Sequence, residues 1–399
     1  MRLAFWKKKD ENKKKKVWWR EWADALIFAV VAATIIRTFL IEAYTIPTGS
    51  MEGSLLVNDY LFVSKLSYGP RIPMTPLAVP LVHNTMPLTG GKSYTEAVKW
   101  GYHRWPGFGN VERYDVVVFN FPNGDTVVEA APDQDYYQLC RMYGRETVLG
   151  SNTVITRPVD KKENYIKRCI GVPGDKLEQR NGIIYVNDKP TPVFPHSKFT
   201  YAVQTNGQYV PQEFLDENDI EQGQQVGHNI FMYSLENEDA EAIKKQQGVV
   251  AVQPYTQKPG SVPGNPGEWT YPQDTANYKW NVDNFGPFIV PKKGATITLT
   301  PQNISFYRRI IFNYEGNKLE EKDGKFFING QETTSYSFKM DYYWMMGDNR
   351  HNSLDSRYWG FVPEDHIVGK ASFVWLSHKE SLFNLRWKRL FHSVSSLGK

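Results

Sequence analysis

The sequence predicts a mainly β protein, tethered by one N-terminal transmembrane helix and carrying a large insertion in its β-rich core. Three observations predict this. A strongly basic tail runs into a long apolar stretch near the N-terminus. Beyond it the chain is a series of short β-branched or aromatic runs bounded by Gly, Pro, Asn or Asp. Long helical periodicity is absent after the apolar stretch.

The apolar stretch comes first. Trp22–Ile41 contains 20 residues, which as a helix would cross a hydrocarbon core of roughly 30 Å. Within it, Ala25–Ile36 is free of charge, while Asp24 and Arg37 lie near the ends, where a long Arg reaches the interface. Trp18, Trp19 and Trp22 form an aromatic belt at the inner edge. A soluble core helix explains neither the tail nor the belt. A cleaved signal peptide needs a small-x-small site after the run, and no convincing one follows. The reading adopted is an uncleaved anchor. Residues 1–20 hold nine Lys/Arg against Asp10 and Glu11, so this excess before the span keeps the N-terminus in the cytoplasm and places everything after residue 41 outside. The whole chain carries +4 and this tail alone +7, so the body is slightly acidic. The basic character belongs to the tail and says nothing about the body's partners; a nucleic-acid reading of the Lys run is the runner-up, the adjacent apolar span weakens it, and no nucleic-acid partner is expected.

The body follows in order. Strands are predicted at Asp115–Phe119, Tyr165–Val172, Ile183–Val186, Ala295–Thr300, Phe326–Ile328 and Ser372–Trp375. KLEQRNGIIYVNDKPT (176–191) matches KLEEKDGKFFINGQET (318–333), with Asn-Gly and Asp-Gly in register, and each copy predicts a hairpin. Duplication and convergent hairpin chemistry both remain open as the origin of the match. Residues 253–288, rich in Pro, Gly, Asn and Gln, read as a surface loop inside the insertion. The resulting division is a basic tail (1–21), an anchor (22–41), a first core segment (42–190, with an irregular stretch at 126–160), an insertion (191–305), a second core segment (306–376) and a basic amphipathic tail (377–399). The segment 382–391 (LFNLRWKRLF) fits either a helix lying on a membrane or a solvated terminal helix. Cys140 and Cys169 are too few for a disulfide scaffold or a zinc site, and one disulfide or two free thiols both remain open.

Three segments carry the residue types of catalysis. In Ile46-Pro47-Thr48-Gly49-Ser50-Met51, Gly49 permits a sharp turn that presents Ser50 to a cleft. In Tyr165-Ile166-Lys167-Arg168, a Lys sits within an apolar strand. If Lys167 faces a site, Arg168 faces away, and only one charge needs burying. Desolvation lowers the basicity of such an amine, which then accepts a serine proton near neutral pH. Residues 347–363 (GDNRHNSLDSRYWGFVP) hold a density of polar groups that a surface turn does not need and a scaffold around a catalytic Lys does. No HExxH or G-x-S-x-G pattern is present.

These segments, in this order after an anchor, resemble the type I signal peptidase (leader peptidase) family, membrane-tethered Ser-Lys proteases with a β-rich catalytic core. ERYDVVVF (112–119) resembles the strand that precedes the family's lysine, and GVPGD (171–175) the residues that follow it. The resemblance implies Ser50 as nucleophile and Lys167 as general base. It implies an oxyanion hole from the Ser50 N–H and the Thr48 hydroxyl, where the family has a serine. Ser353 matches the serine that hydrogen-bonds the lysine. Asp348 belongs to the same supporting box, and Asp355 and Arg357 match a structural ion pair. Ile46, Pro47, Met51, Leu55, Val118, Tyr165 and Ile166 match positions that line substrate pockets. The implied reaction removes N-terminal signal peptides from exported preproteins after small residues at −3 and −1. It takes place at the cell inner membrane, with membrane lipid as a partner and with no metal or cofactor. Three positions depart from the family pattern: Gly53 for a frequent Pro, Tyr114 for Gly and His351 for Asp. The stretches 126–160 and 191–305 have no assigned counterpart. A soluble self-cleaving Ser-Lys repressor would lack the anchor, and an inactive peptide-binding β-domain would need none of Ser50, Lys167 and Ser353.

Overall fold

The computed structural model describes residues 18–122, 126–131, 134–192, 194–379 and 381–397. The basic tail before Trp18 lies outside the described residues. The apolar stretch forms one helix, Trp18–Phe39, with no buried residue along it. Leu26, Ile27, Phe28, Val31 and Ile35 are exposed, and contacts with the rest of the chain gather at its C-terminal end, where Arg37 pairs with Glu42 and Phe39 stacks on Trp105. It is the only helix among the described residues long and apolar enough to cross a membrane. It begins and ends slightly earlier than the predicted anchor, because Ile41 already belongs to a strand.

That strand, Ile41–Thr45, opens an eight-stranded antiparallel sheet. Its path runs Ile41–Thr45, Asp59–Ser64, Ile367–Ser377, Val116–Asn120, Asn164–Gly171, Tyr342–Met346, Val362–Pro363, with His392–Ser393 attached to Ile367–Ser377. Most neighbours in this path are far apart in sequence, so their pairing brings the two catalytic segments together. Val116 and Val118 pack with Ile46, Met51, Leu55, Leu61 and Val63 in one core. Val117, Phe119 and Phe121 pack with Cys169 and Trp359 in another. Consecutive strand residues thus feed two cores, as strand alternation requires.

Both repeats fold as hairpins. Lys176–Arg180 pairs with Ile183–Val186, and Leu319–Lys322 with Lys325–Ile328. The turns take positive φ at Asn181 and Gly182 and at Asp323 and Gly324, as a two-residue hairpin turn demands.

A separate sheet, ordered Gln224–Gly227, Ile230–Leu235, Phe199–Thr205, Val249–Pro254, is built within the predicted insertion. It has its own core of Val203, Leu215, Phe231, Tyr233, Leu235 and Ile243. Phe285–Ile289 does not join it and pairs instead with Lys176–Arg180.

Several expectations need correction. The stretch 126–160 is not irregular throughout: Thr126–Val128 pairs with Val154–Thr156, and helices Tyr136–Tyr143 and Arg145–Ser151 lie between. The segment 382–391 forms no α-helix, only a single helical turn at Trp387–Arg389. Arg386 and Arg389 turn inward, onto the Val57 carbonyl and onto Asp59, while Phe383, Trp387 and Phe391 stay exposed. Strands Ile41–Thr45, Asp59–Ser64 and Tyr342–Met346 were not foreseen. The last is buried at every residue, so it shows no alternation. Both cysteines are free.

Candidate active site

The turn that carries Ser50 is set by its neighbours on both sides. Before it, the Ile46 N–H donates to the Asp59 carbonyl, extending the pairing of the first two strands. Thr48 is extended and exposed, and its side chain caps nothing. Gly49–Met51 then forms one helical turn. After it, the Leu55 N–H donates to the Met51 carbonyl, and Met51 and Leu55 are fully buried beneath. The apolar residues anchor the turn, and the polar one between them is left half-buried at the surface.

Lys167 lies in the strand Asn164–Gly171, opposite Val117, and is only 3% exposed. Its Nζ stands 2.5 Å from Ser50 Oγ. Burial lowers the amine from its ordinary value to about 8, with Asp355 and Asp348 pulling back toward the charged form. No carboxylate among the described residues forms an ion pair with it, so desolvation wins.

Arg168 corrects the expectation that only one charge is buried here. It does not point to water: its guanidinium grips Asp348 in two parallel hydrogen bonds of 2.8 and 2.6 Å. Its other donors reach the Ser54 hydroxyl and the Tyr114 carbonyl, both at 2.8 Å. Adjacent strand positions therefore bury two cations, one fully paired and one not. A second buried pair joins Arg357 to Asp355 at 2.9 and 2.8 Å. Burial opposes charge on Asp355, but the Arg357 guanidinium overrides it and holds the carboxyl below its usual range. Asp355 also accepts the Gly347 N–H at 3.1 Å. A Cβ on Gly347 would sit 2.2 Å from Ser353 Oγ and 2.4 Å from the Ser50 carbonyl oxygen, so glycine alone fits there.

The structure brings some expected residues together and separates others. Ser353 is beside Gly347, but its Oγ has no hydrogen-bond partner among the described residues, so the expected bond to Lys167 is not made. Ile46, Met51, Leu55 and Val118 share one cluster, with Ile166 packed against it. Tyr165 belongs to the other core, its ring 4.6 Å from Phe121 and 5.2 Å from Trp359. Pro47 is exposed. Two contributors were missed by sequence reasoning. Asn349, 1% exposed, donates its backbone N–H to the Ser50 carbonyl and its Nδ2 to the Gly49 carbonyl. Glu52 pairs with Lys198 at 3.2 Å. Asn349 stood inside a flagged box, whereas nothing around Lys198 in the sequence marks it.

The family model described as "Signal peptidase, peptidase S26" matches residues 19–246 and 289–376. The chain belongs to the signal peptidase family, peptidase S26. It is accordingly a serine peptidase. Signal peptidase I of Buchnera aphidicola subsp. Baizongia pistaciae is 23% identical over 370 residues, 91% of this chain and 80% of that one. Signal peptidase I of Rickettsia typhi is 24% identical over 373 residues, 93% and 85% of the two chains. That of Haemophilus influenzae is 24% identical over 381 residues, 92% and 74%. The matched ranges run through 126–160 and 191–246, and residues 247–288 fall between them.

The three departures from the signal peptidase pattern all touch one segment, 194–200, which leads into the separate sheet. Gly53 has φ +99°, and a Cβ there would lie 1.6 Å from the His196 carbonyl oxygen. Proline, fixed near φ −65°, is excluded. Tyr114 keeps a positive φ and sets its ring edge-on to Phe194 at 5.3 Å. His351 Nδ1 accepts the Thr200 N–H at 3.1 Å, and Nε2 lies 2.8 Å from Asp283 Oδ1. With Nδ1 accepting, the proton sits on Nε2 and is donated to the carboxylate. An Asp at 351 would meet Asp283 as a like charge.

Proposed function

We propose that this peptidase removes signal peptides from exported preproteins with a Ser50–Lys167 dyad at the outer face of the inner membrane. The observation that carries this reading is the buried, weakened amine of Lys167 within 2.5 Å of Ser50 Oγ. Neutral Lys167 takes the Ser50 proton, and Oγ attacks the carbonyl carbon of the scissile bond. The Ser50 N–H and the Thr48 hydroxyl stabilise the oxyanion. Collapse expels the amine of the mature protein, which takes a proton from Lys167. A water then gives a proton to Lys167 and attacks the acyl carbon; the bond to Ser50 Oγ breaks, the signal peptide leaves with a free carboxyl group, and Lys167 returns the proton to Ser50. The dyad calls for neither metal nor cofactor.

The sheet and the anchor support the substrate class. Ile41–Thr45 ends the main sheet, so an extended peptide adding to its free edge gains main-chain hydrogen bonds. Ile46, Met51, Leu55, Val118 and Ile166 form the apolar floor beneath the serine turn and favour small residues at −3 and −1. Pro47 is exposed beside the serine turn, and the Tyr165 ring lies 5.8 Å from Lys167 Nζ. Ser50 is eleven residues beyond the end of the helix at Phe39, which keeps the dyad near the bilayer surface, where a tethered preprotein presents its cleavage site. The basic tail keeps the N-terminus cytoplasmic, and the anchor places the protein among membrane lipids.

The test is cleavage of a preprotein with Ala at −3 and −1, by the full chain in detergent. Ser50→Ala and Lys167→Ala are expected to be inactive while folded. Lys167→Arg is expected to be inactive as well, because a guanidinium stays protonated. Full activity in any of the three would end the dyad assignment. Leu at −1 is expected to block cleavage, and equal rates with Ala and Leu would end the specificity assignment.

A further inference from the structure

The separate sheet of residues 199–254 reaches the nucleophile's own peptide bond. Ser234, on the strand Ile230–Leu235, donates its hydroxyl to Asn349 Oδ1 at 3.0 Å. Asn349 Nδ2 donates to the Gly49 carbonyl at 3.2 Å, and the Asn349 N–H to the Ser50 carbonyl at 3.2 Å. The amide orientation is dictated by chemistry. Gly49 offers only an acceptor, so Nδ2 must face it, and Oδ1 must face a donor, which the Ser234 hydroxyl supplies.

The Gly49 carbonyl and the Ser50 N–H belong to one planar trans peptide, pointing in opposite directions. Fixing that oxygen fixes the direction of that N–H. Through its side chain and its backbone, Asn349 thus holds both peptide planes that flank Ser50. The same edge is clamped by main-chain bonds from the segment preceding the sheet. The Lys198 N–H donates to the Asp348 carbonyl at 3.0 Å, and the Arg350 N–H to the Lys198 carbonyl at 2.9 Å. Lys198 Nζ closes the clasp on Glu52, two residues past the nucleophile.

We infer that Asn349, oriented by Ser234 of the separate sheet, is a positioning residue for the oxyanion hole: it aims the Ser50 N–H at the developing oxyanion. The separate sheet is then part of the catalytic apparatus, though it contributes no group that touches substrate. The inference rests on the assignment of Ser50 as nucleophile.

The test uses the full-length protein in detergent, with steady-state cleavage of a preprotein and inhibition by a peptide aldehyde. The aldehyde carbon bonds to Ser50 Oγ, and its oxygen becomes the oxyanion, or its protonated form, in the hole. The Gly49 carbonyl keeps a second donor, the Glu52 N–H at 3.0 Å, so the peptide is loosened rather than freed. Full loss of an oxyanion donor costs about 10²–10³ in kcat. Loosening it is expected to lower kcat roughly tenfold for Asn349→Ala and about fivefold for Ser234→Ala, with KM unchanged, since the bond acts only on the transition state. Aldehyde affinity falls by the same factor, while affinity for the matching peptide amide stays constant. Ser234→Thr keeps the hydroxyl and restores both readouts. Ser234 is an exposed strand residue, so its variants keep the fold, and the lost bond to Asn349 Oδ1 lowers the melting temperature by no more than about 1–4 °C. Wild-type kcat in Ser234→Ala overturns the inference. So does a loss that falls equally on the peptide amide, or a Thr variant as impaired as Ala. An active Ser50→Ala would instead overturn the nucleophile assignment beneath it.

Discussion

Replacing Lys167 with Met should destroy activity and stabilise the protein at neutral pH. The amine is brought from 10.5 down to about 8 because burial penalises its charge. In the window between these values the unfolded chain binds a proton that the folded chain does not, so stability rises with pH there. Below pH 8 the folded protein must either carry a buried ammonium or give up the proton, and the whole penalty is present. The difference of about 2.5 units corresponds to about 3 kcal/mol at roughly 1.36 kcal/mol per unit. Methionine matches the length of the side chain's apolar part and carries no charge, but it gives up the bond to Ser50, a loss of about 1 kcal/mol. The net gain at pH 7 is about 2 kcal/mol. For a chain of this size that is a rise of about 2 °C in Tm, since unfolding entropy is roughly 2.1 cal/mol/K per residue. The gain should shrink steadily above pH 8, change sign at about pH 9.5–10, and settle above pH 10.5 at the loss of about 1 kcal/mol from the missing bond. Thermal unfolding in detergent, wild type against variant across that range, measures it. A variant less stable at pH 7, or a difference that does not change with pH, would refute the claim that Lys167 is held in a desolvating site.

The same lowered basicity sets the pH dependence of turnover: kcat/KM should rise about tenfold per unit below pH 8 and level off above it, as measured on a preprotein whose own groups do not titrate there. Asp348→Ala should leave the Arg168 guanidinium buried without its partner and cost roughly 3–5 kcal/mol, seen as a fall of about 4–6 °C in melting temperature; an unchanged Tm would show that Arg168 finds water. Gly53→Ala should undock the segment around His196, since a Cβ there falls 1.6 Å from a carbonyl oxygen at φ +99°. Limited proteolysis should then cut within residues 191–200, and a resistance profile identical to wild type would contradict the packing.

Residue chemistry alone determined a good deal about this protein. The apolar stretch is legible because twenty residues without charge at their centre have one physical use, and the helix Trp18–Phe39 follows it closely. The Asn-Gly and Asp-Gly hairpins are legible because their turn needs positive φ at both central residues, which those residue pairs tolerate. A lysine within an apolar strand is legible as an anomaly, because burying an ammonium is costly.

Partnership between distant residues was not determined in this way. Ser50 and Lys167 are 117 positions apart and meet only because the sheet order sets Asn164–Gly171 beside Val116–Asn120, under the turn that follows Ile41–Thr45. The burial of Arg168 depended on Asp348, 180 positions away, so a rule of strand alternation misjudged it. Tyr342–Met346 escaped notice because a strand buried on both faces has no period. The clasp of the separate sheet on the serine turn was invisible for a further reason. Part of it is backbone donating to backbone at Lys198, Asp348 and Arg350, and a main-chain hydrogen bond leaves no trace in the identity of the side chain. Its only signs were Gly53, Tyr114 and His351, three departures whose physical reason is the segment packed against them.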